Sequence, residues 1–269
     1  MNQETLKKLI LPLIVLCIII AIWSAIAQKV ENFPTPSDTF VHAFGGTDST
    51  GMDVIGVLSD PFYIENEDDK GIFWQVLNSL QRVFSGFILA IIVGVPIGLA
   101  IGMSRNFHLA LEPYIQIFKP VSPLAWLPLL LFVFKDINTT AISTIFVTSI
   151  WPIIINTALG VKSVNEDYLN VAKVLQFTPL EKVRKIILPV AVPYIFTGMR
   201  LSLGIAWLVI VAAEMLTGGI GIGFWIWNEY NNLNYYNIII GIFIVGMVGF
   251  ILDIIMGKIA DYFDYRKRA

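Results

Sequence analysis

The sequence predicts an all-α membrane protein with six transmembrane helices. Hydrophobic residues make up 56% of the 269 residues and charged residues only 14%, and the mean hydropathy of +0.74 lies well above that of soluble proteins. Several stretches also approach the roughly 20 apolar residues that a helix needs to cross lipid. Lys and Arg are distributed unevenly between the connections. The predicted spans are 9–27, 83–103, 113–134, 140–161, 190–213 and 236–256.

The first span has two interpretations. Lys7 and Lys8 precede its apolar run, and the segment 25–27 resembles a signal-peptidase site, so cleavage is one alternative. The run is longer than the apolar core of a usual signal peptide, and Trp23 near its end is typical of an interfacial anchor. We therefore expect it to be retained as a signal-anchor helix.

Orientation follows from the Lys and Arg bias between the two membrane faces. With a cytoplasmic N-terminus, the outer face receives Lys29, Lys70, Lys135 and Arg82. Both termini are then cytoplasmic, and the protein is a multi-pass protein of the inner (plasma) membrane. The inner face receives the larger basic set, which is Lys7, Lys8, Arg105, Lys162, Lys173, Lys182, Arg184, Lys185, Lys258, Arg266, Lys267 and Arg268.

The chain is predicted to form one transmembrane domain over 1–269, with an external connection at about 28–78. Pro34 and Pro36 disfavour helix continuation where this connection opens, and an acidic run follows at 65–69. The connection is either a plain solvated link or a docking surface for a soluble partner.

Glycines and prolines mark how the spans pack. Gly94, Gly98 and Gly102 repeat at every fourth position of the second span, which lets another helix backbone approach closely. The third span is interrupted by prolines, and non-helical backbone at membrane depth is tolerated only where it is buried in protein or lines water. We expect the third span to border a pathway or a gate. Its prolines are Pro120, Pro123 and Pro128.

Ionisable residues inside the spans are costly and often functional. Lys119 either faces the pathway or extends toward the cytoplasmic interface. Arg200 and Glu214 in the fifth span are too far apart to pair with each other, so each is expected to pair with a neighbouring helix. Thr148, Ser149 and Asn156 in the fourth span are expected to form interhelical hydrogen bonds.

Several other classes are excluded. The net charge of −2 does not suggest a nucleic-acid partner, and the single Cys17 cannot form an internal disulfide. The glycine run 219–223 lacks nucleotide-binding spacing, and no phosphate-binding loop occurs. His42 and His108 fall on opposite faces without a metal-ligand cluster and are interpreted as solvated loop residues. We expect neither enzymatic activity nor a bound cofactor.

The segment 162–189 is a charged interruption between apolar spans, so it must lie on one membrane face. Its spacing resembles the coupling-loop signature of ABC-importer permeases, which is E-A-A, three residues, Gly, nine residues and I-x-L-P. Ala172, Ile186, Leu188 and Pro189 match the signature. The departures are Asn170 for Glu, Val171 for Ala and Gln176 for Gly.

Other segments resemble the nitrate/sulfonate/taurine branch of ABC importers, and within it the nitrate and bicarbonate permeases. The most specific are 119–128, 167–175 and 210–215, continuing through 219–227. The departures in the coupling loop fit that subgroup. The resemblance covers nearly the whole chain and implies a type I ABC-importer permease fold.

The resemblance also implies partners. These are a second permease copy, two cytoplasmic ATPase subunits that bind ATP and Mg²⁺, and an external substrate-binding protein. A short helix at 169–175 would lie in an ATPase groove, and Pro189 would redirect the chain into the fifth span. The basic residues of the loop would face the ATPase or lipid headgroups. The implied ATPase contacts are Asn170, Val171, Ala172, Lys173, Gln176, Ile186, Leu188 and Pro189.

The implied cargo is a small inorganic anion, nitrate (or nitrite) first, with bicarbonate or cyanate as alternatives. An anion in a low-dielectric environment needs compensating charge or hydrogen bonds. A secondary transporter or channel without ATPases is the rival class, and a structural subunit without a pathway is the third. The candidate pathway residues are Arg82, Lys119, Trp126, Thr148, Asn156 and Arg200.

Overall fold

The computed structural model describes residues 3–66 and 70–263. The acidic residues 67–69 and the basic residues Arg266, Lys267 and Arg268 of the orientation argument lie outside the described residues. The described part is helical apart from a small hairpin. Its elements are α1 Gln3–Lys29, α2 Pro36–Phe44, β1 Gly46–Thr47, β2 Asp53–Val54, α3 Ile72–Met103, α4 Arg105–Phe118, α5 Pro123–Phe134, α6 Ile137–Lys162, α7 Glu166–Val174, α8 Pro179–Lys182, a π-helical turn Val183–Ile187, α9 Leu188–Thr217, α10 Ile222–Asn231 and α11 Tyr235–Phe263.

Five helical stretches in the described part are long and apolar enough to cross a membrane, and α4 with α5 forms a sixth if the bent pair counts as one span. The six-span prediction is therefore confirmed, with a correction to the third span. That span is two helices that meet at 97° rather than one helix over 113–134. The break at Pro120 and Pro123 has a simple cause, because proline supplies no backbone N–H.

Helices α3 and α6 pack through the predicted glycine stripe. A Cβ added at Gly98 would lie 2.6 Å from Thr157 Cβ, and one added at Gly102 would lie 2.4 Å from Val161 Cβ. Side chains larger than hydrogen would therefore push the two helices apart. The interpretation of this stripe as a packing surface is confirmed.

Helix α6 also packs extensively against α9. Ser202 Oγ donates to the Ser149 backbone oxygen at 2.6 Å, between the middles of the two helices. Near the C-terminal end of α6, an apolar cluster joins this helix to the π-helical turn and α9. Its buried members are Val161, Ile187, Ala191 and Ile195.

The chain divides into two compact units, Met1–Gln75 with Trp225–Ile244 and Val76–Phe224 with Val245–Ala269. In the first unit, Trp23 Nε1 donates to the Pro34 oxygen at 2.9 Å. The His42 ring stacks on the Tyr236 ring with centroids 4.1 Å apart, so the interpretation of His42 as a solvated residue is wrong. The second unit holds the predicted pathway and coupling residues. The single permease domain stays a prediction.

Candidate transport pathway and coupling segment

A cavity of about 510 Å³ opens at the break between α4 and α5. Helix α4 is capped by the Lys119 backbone N–H, which donates to the Ile115 oxygen at 3.0 Å, and α5 begins after Ser122. Lys119 and Thr148 are brought together on the wall of this cavity. The third span therefore borders a cavity, and its role in a pathway or a gate stays a prediction. The lining residues are Lys119, Pro120, Val121, Ser122, Pro123, Thr148, Trp151, Pro152, Ile155 and Ile205.

Trp126 is not among the lining residues. Its ring lies 5.9 Å from that of Phe118, which in turn stacks on Trp151 at 6.3 Å. Trp151 does line the cavity, and sequence reasoning missed it. Its position three residues after Thr148 was the available signal, since that spacing puts two side chains on one helix face.

Of the three predicted polar residues of α6, Ser149 donates to the Ser202 oxygen of α9 at 3.5 Å as expected, and the other two bond within their own helix. Thr148 Oγ1 donates to the Thr144 oxygen at 2.8 Å, and Asn156 Nδ2 donates to the Pro152 oxygen at 2.8 Å. The expectation of interhelical hydrogen bonds from these two side chains is therefore wrong. Asn156 also lies outside the set that lines the cavity, close to Gly198 of α9.

Arg82 is buried and paired rather than free. Its Nη1 donates to Glu214 Oε1 at 2.8 Å, and its Nε donates to Asn138 Oδ1 at 2.8 Å. This confirms that Glu214 pairs with a neighbouring helix. Because the Glu214 carboxylate neutralises the Arg82 charge, this candidate pathway residue offers no free cation to an anion.

Arg200 forms a two-pronged ion pair with Asp253 on α11. Nε donates to Oδ1 and Nη2 to Oδ2, both at 2.6 Å, and about half of each side chain is exposed. The prediction that Arg200 pairs with a neighbouring helix is confirmed. The pair borders a groove of about 340 Å³ beside Gly204 and Gly246, so Arg200 is not brought to the cavity that Lys119 lines.

A second cavity, of about 180 Å³, lies between α4 and α6. His108, Glu112, Lys119 and Lys162 supply its polar lining. The placement of His108 in a loop is wrong, because it lies on α4 with its ring between Lys162 and Glu112, although 33% of its side chain is exposed. The four-residue spacing of His108 and Glu112 was a signal for shared placement on a helix.

The coupling segment contains the expected helix. Asn165 caps α7 by accepting a hydrogen bond from the Asp167 N–H at 3.0 Å, and the acidic first turn suits a helix N-terminus. The helix closes when Phe177 N–H donates to the Ala172 oxygen and Gln176 N–H to the Lys173 oxygen, at 3.0 and 3.1 Å. Such a closure needs a left-handed residue. Gln176 fills that role with φ 52°, where the signature has Gly.

One of the implied ATPase contacts on α7, Ala172, requires correction. Ala172 is only 2% exposed within this chain, whereas Val174 is 82% exposed, and Val171 and Leu175 are also exposed. Because the Ala172 methyl packs inside the chain, it is unavailable to an external groove. The exposed apolar side chains are the available contact surface.

The remainder of the segment is a helical run into α9. Thr178 and Glu181 form a reciprocal cap at the start of α8, and Ile187 is buried while Pro189 is exposed. Ile186 and Leu188 are half-buried. The run is continuous over Pro179–Thr217 through the π-helical turn, so the expectation that Pro189 redirects the chain is wrong.

Residues 86–269 match the family described as the inner membrane component of binding-protein-dependent transport systems. The chain belongs to this family of ABC-importer permeases. It is 49% identical over 205 residues to a protein named nitrate import permease NrtB from Leptolyngbya laminosa, across 76% of this chain and 74% of the relative. It is 47% identical to a bicarbonate transport permease CmpB from a Synechocystis species, across 73% and 71%.

Solved structures confirm the fold. The chain superposes on the permease in an inward-facing structure of the MetNI methionine ABC transporter with a TM-score of 0.60, across 71% of this chain and 95% of that one, at 16% identity. The predicted type I importer fold is therefore confirmed. The chain is also 33% identical to a protein named taurine transport permease TauC from Escherichia coli, across 67% of this chain and 66% of the relative.

Proposed function

We propose that this chain is the membrane permease subunit of an ATP-driven importer for nitrate or nitrite. The observation that carries the proposal is the environment of Lys119. Arg82 and Arg200 are neutralised by carboxylates. Among the residues that the structure describes, Lys119 forms no ion pair, and it lines both the 510 Å³ and the 180 Å³ cavities.

An unpaired ammonium on a cavity wall favours an anion. Moving an anion out of water requires a compensating charge or hydrogen bond, and Lys119 provides the charge at the point where the third span breaks. Lys119 is the pathway cation, with Thr148 and Trp151 beside it. Nitrate is preferred because the proteins named nitrate permeases are closely similar over most of the chain.

Bicarbonate is the second candidate, because the bicarbonate permease is nearly as similar. A reconstituted complex with its ATPase subunits and binding protein separates these cargoes by uptake of labelled nitrate, bicarbonate and taurine. We expect ATP-dependent nitrate uptake that Lys119→Met reduces strongly and Lys119→Arg largely retains. Taurine uptake without nitrate uptake would overturn the proposal that nitrate is the cargo. Uptake without ATP would favour a secondary transporter.

The partners follow from the family and the exposed side chains of α7. The exposed apolar surface of Val171, Val174 and Leu175 would enter a groove of each cytoplasmic ATPase subunit, which binds ATP and Mg²⁺ while this chain binds neither. A second permease copy would complete the membrane core. ATPase closure would move α7 and, through the buried Ile187, the helices α6 and α9.

The proposed orientation puts both termini and the coupling segment in the cytoplasm. Thr50 in the external connection and Leu180 in the coupling segment are exposed, so each accepts a reporter cysteine in a Cys17→Ser background. An impermeant thiol reagent added to intact cells is expected to label the cysteine at 50 at once. It should label the one at 180 only after permeabilisation, and the opposite pattern would invert the topology.

A further inference from the structure

The second cavity, hereafter the exit cavity, shares part of its wall with the first one. Both cavities are lined by Lys119 and Ile155, so an anion held at Lys119 borders both. The exit cavity continues along α6 as far as Lys162, the last residue of that helix. Since an α-helix rises 1.5 Å per residue, the stretch from Ile155 to Lys162 is about 10 Å long.

The polar lining of the exit cavity carries a cationic excess. Lys119 and Lys162 contribute two positive charges, and Glu112 contributes one negative charge. Glu112 is already engaged, because it accepts a hydrogen bond from Gln116 Nε2 at 2.9 Å and lies 3.5 Å from His108 Nδ1. Among the described residues, neither lysine forms an ion pair, so both remain available to an anion.

His108 orients the terminal lysine. Lys162 Nζ lies 3.3 Å from His108 Nε2, and an ammonium can only donate, so a hydrogen bond in this contact needs Nε2 as the acceptor. One ammonium hydrogen is used in this contact, which leaves two for a ligand. The remaining wall is apolar and includes Ile101, Ile154 and Leu159. Lys162 itself is exposed, so its ammonium is accessible to an anion.

We propose that the exit cavity is a second anion site, which takes the transported inorganic anion from Lys119 and releases it to the cytoplasm. Lys162 binds the anion, and His108 positions Lys162. The inference rests on the proposed function, because it assigns a second binding site to the same transported anion. A lipid phosphate offers the same anionic chemistry at the membrane surface, and the experiment must separate these two sources.

Product inhibition from the cytoplasmic side tests the site. Right-side-out proteoliposomes of the full complex in purely zwitterionic lipid are loaded with ATP and increasing unlabelled nitrate, and labelled nitrate and binding protein are added outside. Internal nitrate should slow wild-type uptake. In Lys162→Gln the half-inhibiting concentration should rise about tenfold, as expected for the loss of one charge-assisted hydrogen bond.

Two further variants separate anion binding from general damage. Leu159→Asp keeps both lysines but adds a carboxylate to the wall, and it should shift the inhibition in the same direction. Lys258→Gln removes an exposed cation of α11 away from the cavity and should match the wild type. His108→Ala should give a smaller shift than Lys162→Gln, because His108 acts through the lysine.

The outcomes are distinct from those of the proposed function. Equal inhibition in the wild type, Lys162→Gln and Leu159→Asp would overturn the exit cavity, and so would a wild type that internal nitrate does not inhibit. If internal nitrate does not inhibit, while added anionic lipid stimulates uptake by the wild type and not by Lys162→Gln, the site belongs to a lipid phosphate and the exit cavity is overturned. If nitrate is not imported at all, the proposal that nitrate is the cargo is wrong. The exit cavity would still be supported if internal bicarbonate inhibits binding-protein-stimulated ATPase activity in the wild type and not in Lys162→Gln.

Discussion

Arg82 on α3 and Glu214 on α9 form a buried ion pair, with Nη1 and Oε1 2.8 Å apart and the Glu214 side chain fully buried. Ser79 Oγ donates to both carboxylate oxygens, and the Gly223 N–H donates to Oε2 at 3.0 Å. The Glu214 carboxylate thus ties α9 to α3 and to the start of α10. A Cβ at Gly221 would lie 2.3 Å from this carboxylate, so the glycine run 219–223 admits Glu214 rather than a nucleotide.

Removal of one partner of this pair is expected to be costly. Arg82→Met leaves a buried carboxylate without its countercharge, and loss of one member of such a pair destabilises by about 3–5 kcal/mol. The double variant Arg82→Met/Glu214→Met should lose less than either single variant. Thermal unfolding in detergent measures both effects, and additive losses in the double variant would contradict the pairing.

The glycine stripe of α3 gives a second prediction with a matched control. Gly98→Ala brings a methyl within 2.6 Å of Thr157 and 2.8 Å of the Ile154 oxygen, whereas a Cβ at Gly204 of α9 meets nothing within 4 Å. Overpacking should cost about 1–3 kcal/mol at Gly98. Gly204→Ala should be neutral or slightly stabilising, because Ala favours helix over Gly. Equal unfolding temperatures of the two variants would refute close packing of α3 on α6.

The sequence predicted what depends on local pattern. Apolar length located the spans, and the prolines located the break at Lys119 because each proline acts on its own neighbourhood. The partners of the charges were not predictable, since Arg82 and Glu214 are 132 positions apart and His108 and Lys162 are 54 apart. The signature located α7 but carried no information on which face the chain itself buries, so Ala172 was misassigned.

Gln176 gives a third prediction. Its φ of 52° is costly for a residue with a Cβ and free of strain for glycine. Gln176→Gly should therefore stabilise the end of α7 by about 0.5–1 kcal/mol, after the greater freedom of glycine in the unfolded chain is subtracted. Slower hydrogen exchange at the Phe177 amide would report this gain. Gln176→Val should speed the exchange, and an unchanged rate in both variants would argue against the left-handed closure.

Asp38 gives a prediction for pH. Burial alone would raise its pKa, but hydrogen bonds from Thr35 and Ser49 outweigh burial and hold the pKa below the ordinary value. A carboxyl with a lowered folded-state pKa stabilises the fold above its unfolded pKa of about 3.9, and this stabilisation is lost as the pH falls through the folded value.

The contact of Ser49 with Asp38 should therefore open at acidic pH. Exchange of the Ser49 amide, which donates to Asp38 at 3.0 Å, should accelerate in the wild type relative to Asp38→Asn measured at the same pH. Asp60→Asn, at an exposed position, serves as the control and should follow the wild type. If the ratio of the Ser49 exchange rates in the wild type and Asp38→Asn stays constant over the whole pH range, the Asp38 carboxylate does not hold this contact.

The last prediction concerns the proposed ATPase contact of α7. Val174 is 82% exposed, so Val174→Glu should leave folding and membrane insertion intact while it places a charge in the apolar groove of the partner. We expect co-purification with the ATPase subunits and nitrate uptake to fall by at least about tenfold, because an unpaired charge buried at an interface costs more than 1.4 kcal/mol. Ile55→Glu, at an 87% exposed position in the external connection, is the matched control and should retain both. Ala172→Glu should instead reduce the yield of folded permease, since Ala172 is buried within the chain. A Val174→Glu complex that still co-purifies and transports at the wild-type rate would remove the exposed face of α7 from the ATPase interface.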